Sequence, residues 1–478
     1  MLPFQDSFYA RWRVQAGVVL ILHEDTESPP ERLLQSIWHH QRLLRDQLKT
    51  CDNQPVRILH PGFRNLEGGP DFRGAIVQFA EGAARQGDVE VDLRPGGWHA
   101  HGHDTNPAFG NVILHVVWEN GRPLPGAPPM LCIRQCLDSP LGELSLWLGT
   151  ETASGFPEML RGKCCAPLKG LPEKDLLELL NQAAGVRLRS KAAQFQARAR
   201  QVGWEQSLWE GLFRALGYKH NIWPMQRLGE LRPRWDVPGN QPYPLQARLL
   251  GLSGLLPAEL TGNGNGNDQY LRGLWDLWWR EQHAFSDVAL PPKVWRLHGL
   301  RPANHPHRRL ALAAAWSIGN SIPARLEAWC SSAATKKTMG PSLLHALQVE
   351  TDDFWAWHWT LRSKPFKTPK PLLGTSRVAD LAMNVAIPWL WTRAIEGKNQ
   401  QLRQTLEDHY FHWPAAADNS LLKLARERLL GGGDKGYFSC AASQQGLIQI
   451  VRDFCEQSNS ICHNCKLPDL VKEFGRGK

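Results

Sequence analysis

The chain has 478 residues, of which 42% are hydrophobic and 21% charged, which excludes a disordered or fibrous protein and allows two to four domains. Its formal charge of +9 favours an anionic partner, and we expect nucleic acid. No apolar run approaches the roughly 18 residues needed to cross a bilayer, and the first twenty residues lack the features of a secretory signal. We therefore expect a cytoplasmic protein that does not bind membranes. Nothing in the composition indicates an oligomeric state.

In chain order, the first elements predict a helix followed by a small sheet. Residues 29–49 carry apolar side chains at helical spacing after two prolines, which predicts a helix. Three strands are predicted next, over residues 55–63, 71–82 and 87–93. A turn rich in glycine, proline and histidine follows, and the nearly continuous apolar run 111–120 predicts a buried central strand. The order α-β-β-β-α-β predicts an α/β domain over residues 1–150.

Beyond about residue 150 the pattern becomes helical. Apolar residues recur at helical spacing in four long segments, 175–201, 207–216, 268–282 and 307–318. Stretches rich in glycine and proline separate the helical segments, as expected for turns and linkers. We therefore predict a mainly helical domain over residues 151–435 and a cysteine-containing C-terminal segment over residues 436–478.

Three acidic residues lie in the predicted strands. Asp71 follows Gly-Pro at the start of the second strand, whereas Glu90 and Asp92 share a face of the third, because side chains two residues apart in a strand point the same way. If these strands pair antiparallel, Asp71 and Glu90 converge at one end of the sheet. Carboxylates and water are the usual ligands of hard cations. The pattern therefore predicts a site for Mg²⁺ or Mn²⁺.

The same residues resemble a known superfamily. An Asp after Gly-Pro at a strand start, followed by Glu-x-Asp on the next strand, resembles the PD-(D/E)xK nucleases, and the order of elements resembles their restriction-endonuclease-like fold. The resemblance implies that Asp71 and Glu90 are metal ligands. It also implies a lysine that polarises the attacking water, where this chain has Asp92. Because of this departure, either another residue activates the water and stabilises the developing charge, or activity is lost.

A histidine-rich stretch follows the third strand. WHAHGHD places His99, His101 and His103 at alternate positions, so in an extended segment they share one face, and imidazole is a common metal ligand. The string is similar to the H-x-H-x-D-H of metallo-β-lactamase-like hydrolases, with its last two residues transposed. Three interpretations stay open: turn histidines bonded to backbone, an independent zinc site, or members of the acidic site with His101 as a catalytic residue. His115, in the buried strand, is typical of a core histidine but also has a position from which it can reach the acidic site.

Four cysteines lie near the C terminus and end in a C-x-x-C motif. They are Cys440, Cys455, Cys462 and Cys465. Four thiolates are typical of a structural Zn²⁺ or a [4Fe-4S] cluster. Their spacing does not provide the two C-x-x-C pairs of a zinc ribbon, so reduced, partly buried cysteines are the alternative.

Several separated strings are similar to one bacterial family, the domain-of-unknown-function family 2851. The similarity lies in GPDFRGAIVQF, GDVEVDLRPGGWHAHGHD, NVILHVVWEN, GYKHNIWPMQRL, RPANHPHRRL, LAMNVAIPWL and the terminal C-x-x-C region. It spans nearly the whole chain and implies that the N-terminal and C-terminal parts form one working unit. It supplies no activity.

Three functions are compatible with these residues. The first is a metal-dependent nuclease whose catalytic residues are Asp71, Glu90, Asp92 and His101. The second is a nucleic-acid-binding scaffold that keeps the nuclease fold without its chemistry, and the third is a zinc-dependent hydrolase that acts on a small substrate through the histidines. For the first two, the arginine-rich runs 187–200 and 301–309 are either phosphate-binding clusters or solvated helix faces.

Overall fold

The computed structural model describes residues 6–19, 22, 28–65, 68–122, 125–148, 166–218, 220–236, 241–260, 267–332, 338–350, 353–416, 420–431, 440–455 and 465–476. They form a mixed α/β structure with an N-terminal sheet and a mostly helical remainder. The chain divides into two units, the first made of residues 1–190 and 417–478 and the second of residues 191–416. Among the described residues, no helix is long and apolar enough to cross a membrane.

The sheet belongs to the first unit. Its strands are β1 (Val56–His60), β2 (Phe63–Arg64), β3 (Phe72–Phe79), β4 (Arg85–Asp92), β5 (Val112–Val117) and β6 (Met130–Cys132). They lie in the order β1-β3-β4-β5-β6, and β2 pairs with β3. β3 and β4 are antiparallel, whereas β4, β5 and β6 are parallel to one another. The expected hairpin of the second and third predicted strands is therefore present, and β5 is the predicted central strand.

One face of the sheet packs against helices. The four N-terminal helices are α1 (Phe8–Gln15), α2 (Glu31–His40), α3 (Gly97–Ala100) and α4 (Leu141–Leu148). Val89 and Val91 of β4 are fully buried in one hydrophobic cluster with apolar residues of α2 and α4. Because side chains alternate along a strand, Glu90 and Asp92 point to the opposite face. Both are nevertheless buried, so this end of the second face of β4 holds two buried carboxylates.

Two of the predicted elements differ most from the structure in their bounds. The helix predicted over 29–49 ends at residue 40, because Gln41 adopts the left-handed conformation with φ 51°. The amide groups of Gln41 and Arg42 bond the carbonyls of Trp38 and Ile37, which closes the helix with a left-handed cap. The strand predicted over 55–63 divides into β1 and β2 at the intervening Pro61 and Gly62, since proline offers no N–H to the ladder.

The rest of the first unit is a helical cluster. Its helices are α5 (Glu173–Val202), which continues into the second unit, α18 (Ser420–Leu430), α19 (Ala441–Phe454) and α20 (Leu467–Arg476). They share one hydrophobic core with α1. Gly446 allows α19 to approach α5 closely, because a Cβ there would lie 2.0 Å from the Leu180 carbonyl oxygen. Asp453 of α19 forms a buried ion pair with Arg13 of α1.

The second unit is helical and rich in buried tryptophan. Its helices are α6 (Trp204–Leu216), α7 (Ile222–Glu230), α8 (Arg232–Trp235), α9 (Pro242–Leu252), α10 (Asn267–Glu281), α11 (Pro306–Trp316), α12 (Ile322–Ser331), α13 (Met339–Leu347), α14 (Asp353–Trp357), α15 (Thr375–Leu381), α16 (Ile387–Glu396) and α17 (Gln400–His412). A π-helical turn, Ala382–Ala386, joins α15 to α16. The four predicted long helices are confirmed, with small differences at their ends, as α5, α6, α10 and α11.

The arginine-rich run 301–309 does not form an exposed basic face. Arg308 and Arg309 are both buried on α11. The Arg308 guanidinium donates hydrogen bonds to the backbone carbonyls of Trp355, His358, Lys370 and Pro371. Two of the three arginines of this run therefore lie in the interior.

Replacing Asp453 with alanine should destabilise the first unit. The carboxylate accepts hydrogen bonds from Tyr9 Oη (2.7 Å), Arg13 Nη2 (2.9 Å) and Gln449 Nε2 (3.0 Å). Its loss leaves the buried Arg13 guanidinium without its ion pair, and we expect the free energy of unfolding in urea to fall by about 3–5 kcal/mol. The double variant Arg13→Met, Asp453→Leu removes both charges and should recover part of this loss. A double variant as unstable as Asp453→Ala would contradict the explanation.

Candidate metal centre

The β3–β4 pair brings Asp71 and Glu90 together. Phe72 is the register partner of Val89, which sets Asp71 beside Glu90 at one end of the two strands. The Asp71 amide donates to Glu90 Oε2 at 3.0 Å, and the Val91 amide donates to Asp71 Oδ2 at 3.1 Å. The two carboxylates therefore converge where the strand pattern predicts.

Helix α2 contributes a further carboxylate that the strand pattern does not reveal. Gln35 Nε2 donates to Asp71 Oδ1 at 2.9 Å and to Glu31 Oε1 at 3.2 Å. Glu31 and Gln35 are four residues apart and therefore neighbours on one face of the helix. The spacing of Glu31 and Gln35 indicates a polar face of α2, but it does not show that this face lies beside Asp71.

Asp92 lies between two imidazoles. His101 Nδ1 is 3.3 Å from Asp92 Oδ1, and His115 Nε2 is 2.9 Å from Asp92 Oδ2. His115 is the register partner of Glu90 in the parallel β4–β5 pair, so its side chain lies on the acidic face of the sheet. His115 is buried, as expected for a core histidine, but it contacts the acidic site directly and holds one oxygen of Asp92.

The three alternate histidines do not share a face, because the segment is not extended. α3 and a following turn, in which Gly102 has φ 69°, fold it back on itself. His99 turns outward and its Nδ1 lies 2.9 Å from Asp104 Oδ2. His101 and His103 turn towards the acidic site. The glycine at 97 is needed here, since a Cβ would lie 2.7 Å from the Asp92 carboxylate.

His103 is held by aromatic rings. Its ring stacks on Phe109 with 4.0 Å between centroids and meets Trp98 edge-on. Its Nε2 lies 3.7 Å from Glu90 Oε1, and its Nδ1 is buried with no hydrogen-bond partner in the described structure. Burial lowers the pKa of His103, which favours the neutral imidazole that binds metal ions.

Asp92, His101 and His103 have the spacing of a metal-ligand group. One ligand atom from each lies within 4.8 Å of the others, and no other such group of histidine, cysteine or acidic residues occurs in the described part of the chain. Asp92 and His103 are buried, whereas His101 is exposed. Two imidazoles and a carboxylate suit Zn²⁺, Mn²⁺ or Fe²⁺ and leave coordination positions for water or substrate. Glu90 adds a further oxygen beside His103.

The carboxylates of the site raise one another's pKa. Burial, followed by the charge of Asp71, raises the pKa of Glu90. Burial, followed by the charge of Glu31, raises that of Asp71, and burial with the charge of Asp92 raises that of Glu31. Such mutual repulsion in a buried place is relieved by protons or by a divalent cation. The electrostatics therefore favour the binding of a metal ion.

The C-terminal cysteines do not form a metal-ligand group among the described residues. Cys462 lies outside the described residues. Cys440 Sγ contacts Ser443 Oγ at 3.2 Å, and Cys455 and Cys465 pack against the helical core of the first unit. The Zn²⁺ or [4Fe-4S] centre predicted from their number remains a prediction.

The comparisons with known proteins identify a family without an activity. The family described as "Protein of unknown function (DUF2851)" matches residues 31–418, and the chain belongs to that family. Searches of curated proteins and of solved structures gave no match. The matched range contains Glu31, the acidic strands and the histidine turn.

The acidic site should make the metal-free protein less stable as the pH rises. Below the ordinary carboxyl pKa of about 4.3, Glu90 is protonated in both the folded and the unfolded states. As the pH increases towards its raised folded-state pKa, the unfolded state loses the proton first, and stability falls. Glu90→Gln cannot lose a proton. We expect it to increase Tm at pH 8 in EDTA by on the order of 5 °C, and to give little gain near pH 4.

Differential scanning fluorimetry between pH 4 and 9 measures this effect. Asp88→Asn, on the same strand but outside the carboxylate cluster, is the control and should show no gain that grows with pH. Equal Tm values for Glu90→Gln and the wild type at pH 8 would show that Glu90 is not held in a repulsive cluster.

Proposed function

We propose that this member of the DUF2851 family is a metal-dependent nuclease that hydrolyses phosphodiester bonds in DNA or RNA. The observation that carries the proposal is the convergence of carboxylates from α2, β3 and β4 with two imidazoles at one end of the β3–β4 pair. Buried carboxylates that repel one another are the usual setting for a catalytic cation. The net charge of +9 favours an anionic polymer as substrate.

The sheet supports the likeness to PD-(D/E)xK nucleases. α2 precedes the strands, Asp71 follows Pro70 at the start of β3, and Glu90 lies on the antiparallel neighbour β4. α3 then leads to β5, which is parallel to β4. This arrangement supports a restriction-endonuclease-like fold with Asp71 and Glu90 as ligands of Mg²⁺ or Mn²⁺. The bound ion would polarise the phosphoryl group and lower the pKa of the attacking water.

Histidines take the place of the missing lysine. His101 contacts Asp92, and its side chain is 55% exposed, so it is the imidazole of the site that a substrate can reach. In the proposed reaction, water oxygen forms a bond to phosphorus while His101 accepts the proton of that water. The bond from phosphorus to the leaving oxygen breaks, and that oxygen takes a proton from solvent. His115 fixes Asp92, and Asp92 in turn orients His101.

The metal-ligand group of Asp92, His101 and His103 is also compatible with a second candidate function. Two histidines and an aspartate are also a catalytic zinc set, which would suit a hydrolase of small substrates. That enzyme would require Zn²⁺ and would not cleave polynucleotides. The carboxylates at Glu31, Asp71 and Glu90 favour the nuclease, because a three-ligand zinc site does not need them.

The nuclease proposal predicts metal-dependent cleavage that requires His101 but not His99. Purified protein should cleave single- or double-stranded DNA or RNA with Mn²⁺ or Mg²⁺, and EDTA should prevent cleavage. Glu90→Ala should reduce the rate to background, and His101→Gln should lower it about 100-fold or more through loss of the base. His99→Gln is the matched control from the same turn and should keep its activity, because His99 pairs with Asp104.

Intact polynucleotides under every metal condition would refute the nuclease proposal. If the protein still bound DNA or RNA, the inactive scaffold would be supported. If Zn²⁺-dependent hydrolysis of small phosphate or carboxylate esters appeared instead, the second candidate would replace the first.

Metal binding can be measured without a substrate. Co²⁺ bound by imidazole and carboxylate absorbs visible light, and titration followed by absorbance gives its affinity for the wild type. His103→Gln removes a buried ligand and should weaken binding at least about tenfold. His99→Gln should bind Co²⁺ like the wild type. Equal affinities for all three proteins would show that the histidine turn holds no metal.

A further inference from the structure

Two buried arginines of the second unit share one acceptor. Arg309 of α11 donates from Nη2 to Asn304 Oδ1 at 2.9 Å, and Arg377 of α15 donates from Nη2 to the same oxygen at 2.7 Å. Their neighbour Arg308 is occupied by four backbone carbonyls. A single neutral amide oxygen therefore holds two guanidinium groups side by side in the interior.

Among the described residues, one carboxylate forms an ion pair with these two arginines, that of Asp380 with Arg377. Asp380 Oδ2 accepts a hydrogen bond from Arg377 Nη1 at 3.0 Å. Arg309 also donates from Nη1 to the Leu372 carbonyl oxygen, while its Nε is buried with no hydrogen-bond partner among the described residues. Burial, and then the charges of Arg377 and Arg308, lower the pKa of Arg309 to about 9. Cationic charge at this place exceeds the anionic charge that balances it, and a buried cation without a partner is costly.

The carboxylate is the solvent-facing part of the cluster. The Asp380 side chain is 41% exposed, against 7% for Arg377. The other side of the Arg377 guanidinium lies over the ring of Tyr218, which is also partly exposed. Burial raises the pKa of the Asp380 carboxyl, and the charges of Arg377, Arg309 and Lys191 of α5 oppose that rise. Water therefore reaches the cluster where Asp380 meets Arg377.

We propose that Arg309 and Arg377 form a binding site for a phosphate-sized oxyanion, and that Asp380 occupies the place of this anion when no ligand is bound. Planar guanidinium groups bind phosphate oxygens in pairs, and a phosphate dianion brings more charge and more acceptors than one carboxylate. On binding, Asp380 turns into solvent and the phosphate takes its hydrogen bonds. The inference does not depend on the proposed nuclease activity, since it concerns residues of the second unit.

Removing Asp380 should strengthen anion binding. Asp380→Asn keeps the size of the side chain but removes the competing charge. In isothermal titration with inorganic phosphate, we expect its affinity to exceed that of the wild type on the order of tenfold. Arg377→Gln should bind phosphate at least about tenfold more weakly than the wild type. Sodium chloride at matched ionic strength is the control for general screening, and Arg272→Gln, an exposed arginine of α10, is the control for general charge.

A second titration with adenosine 5′-monophosphate identifies the source of the phosphoryl group. Equal affinity for both probes means that the site accepts a free phosphate or the end of a nucleotide alike, and a preference for either assigns the site to that ligand. A wild type and an Asp380→Asn variant that both fail to bind phosphate or nucleotide would overturn the proposal. Asp380→Asn with unchanged or weaker phosphate affinity than the wild type would also overturn it, because Asp380 would then not be a competitor. Circular dichroism of each variant establishes that it is folded before it is titrated.

Discussion

The register between β3 and β4 is the constraint on which the candidate site depends. Val89 and Val91 are buried in the core. Because side chains alternate along β4, Glu90 and Asp92 then point to the other face. A slip of one residue would put the acids in the apolar core, so the hydrophobic core fixes the position of the carboxylates. The antiparallel pairing then brings Asp71 to Glu90, and the parallel pairing with β5 brings His115 to Asp92.

The features of the site that were predictable from sequence are those set by local periodicity. The period of two in 87–93 is enough to put Glu90 and Asp92 on one face, and a hairpin is enough to bring Asp71 near them. Glu31 was not predictable in this way, because its place depends on how α2 packs across the sheet. The histidines show a different limit. Their alternate spacing indicates a shared face only if the chain is extended, and here α3 and the left-handed turn at Gly102 fold the segment back instead.

In the helical part of the chain, too, the features set by local periodicity were predictable and those set by tertiary packing were not. Apolar spacing located α5, α6, α10 and α11 closely, because burial of one face is a local pattern. The arginine-rich run 301–309 was misleading, since charge in a sequence carries no information about burial. Backbone carbonyls and Asn304 accept hydrogen bonds from the buried Arg308 and Arg309. An interior arginine needs such partners, and apart from Asn304 they come from residues 47 or more positions away, which no local pattern connects.

Both units place charges of one sign together in their interiors. In the first unit these charges are carboxylates and the balancing group that we propose is a divalent metal, whereas in the second they are guanidinium groups and the proposed partner is an oxyanion. The most direct test of the metal centre is pulsed electron paramagnetic resonance of the protein with one equivalent of Mn²⁺. Our account predicts modulation from the nitrogen nuclei of the coordinated His103 imidazole, which disappears in the His103→Gln variant. Bound Mn²⁺ with no nitrogen coupling in the wild type would contradict it.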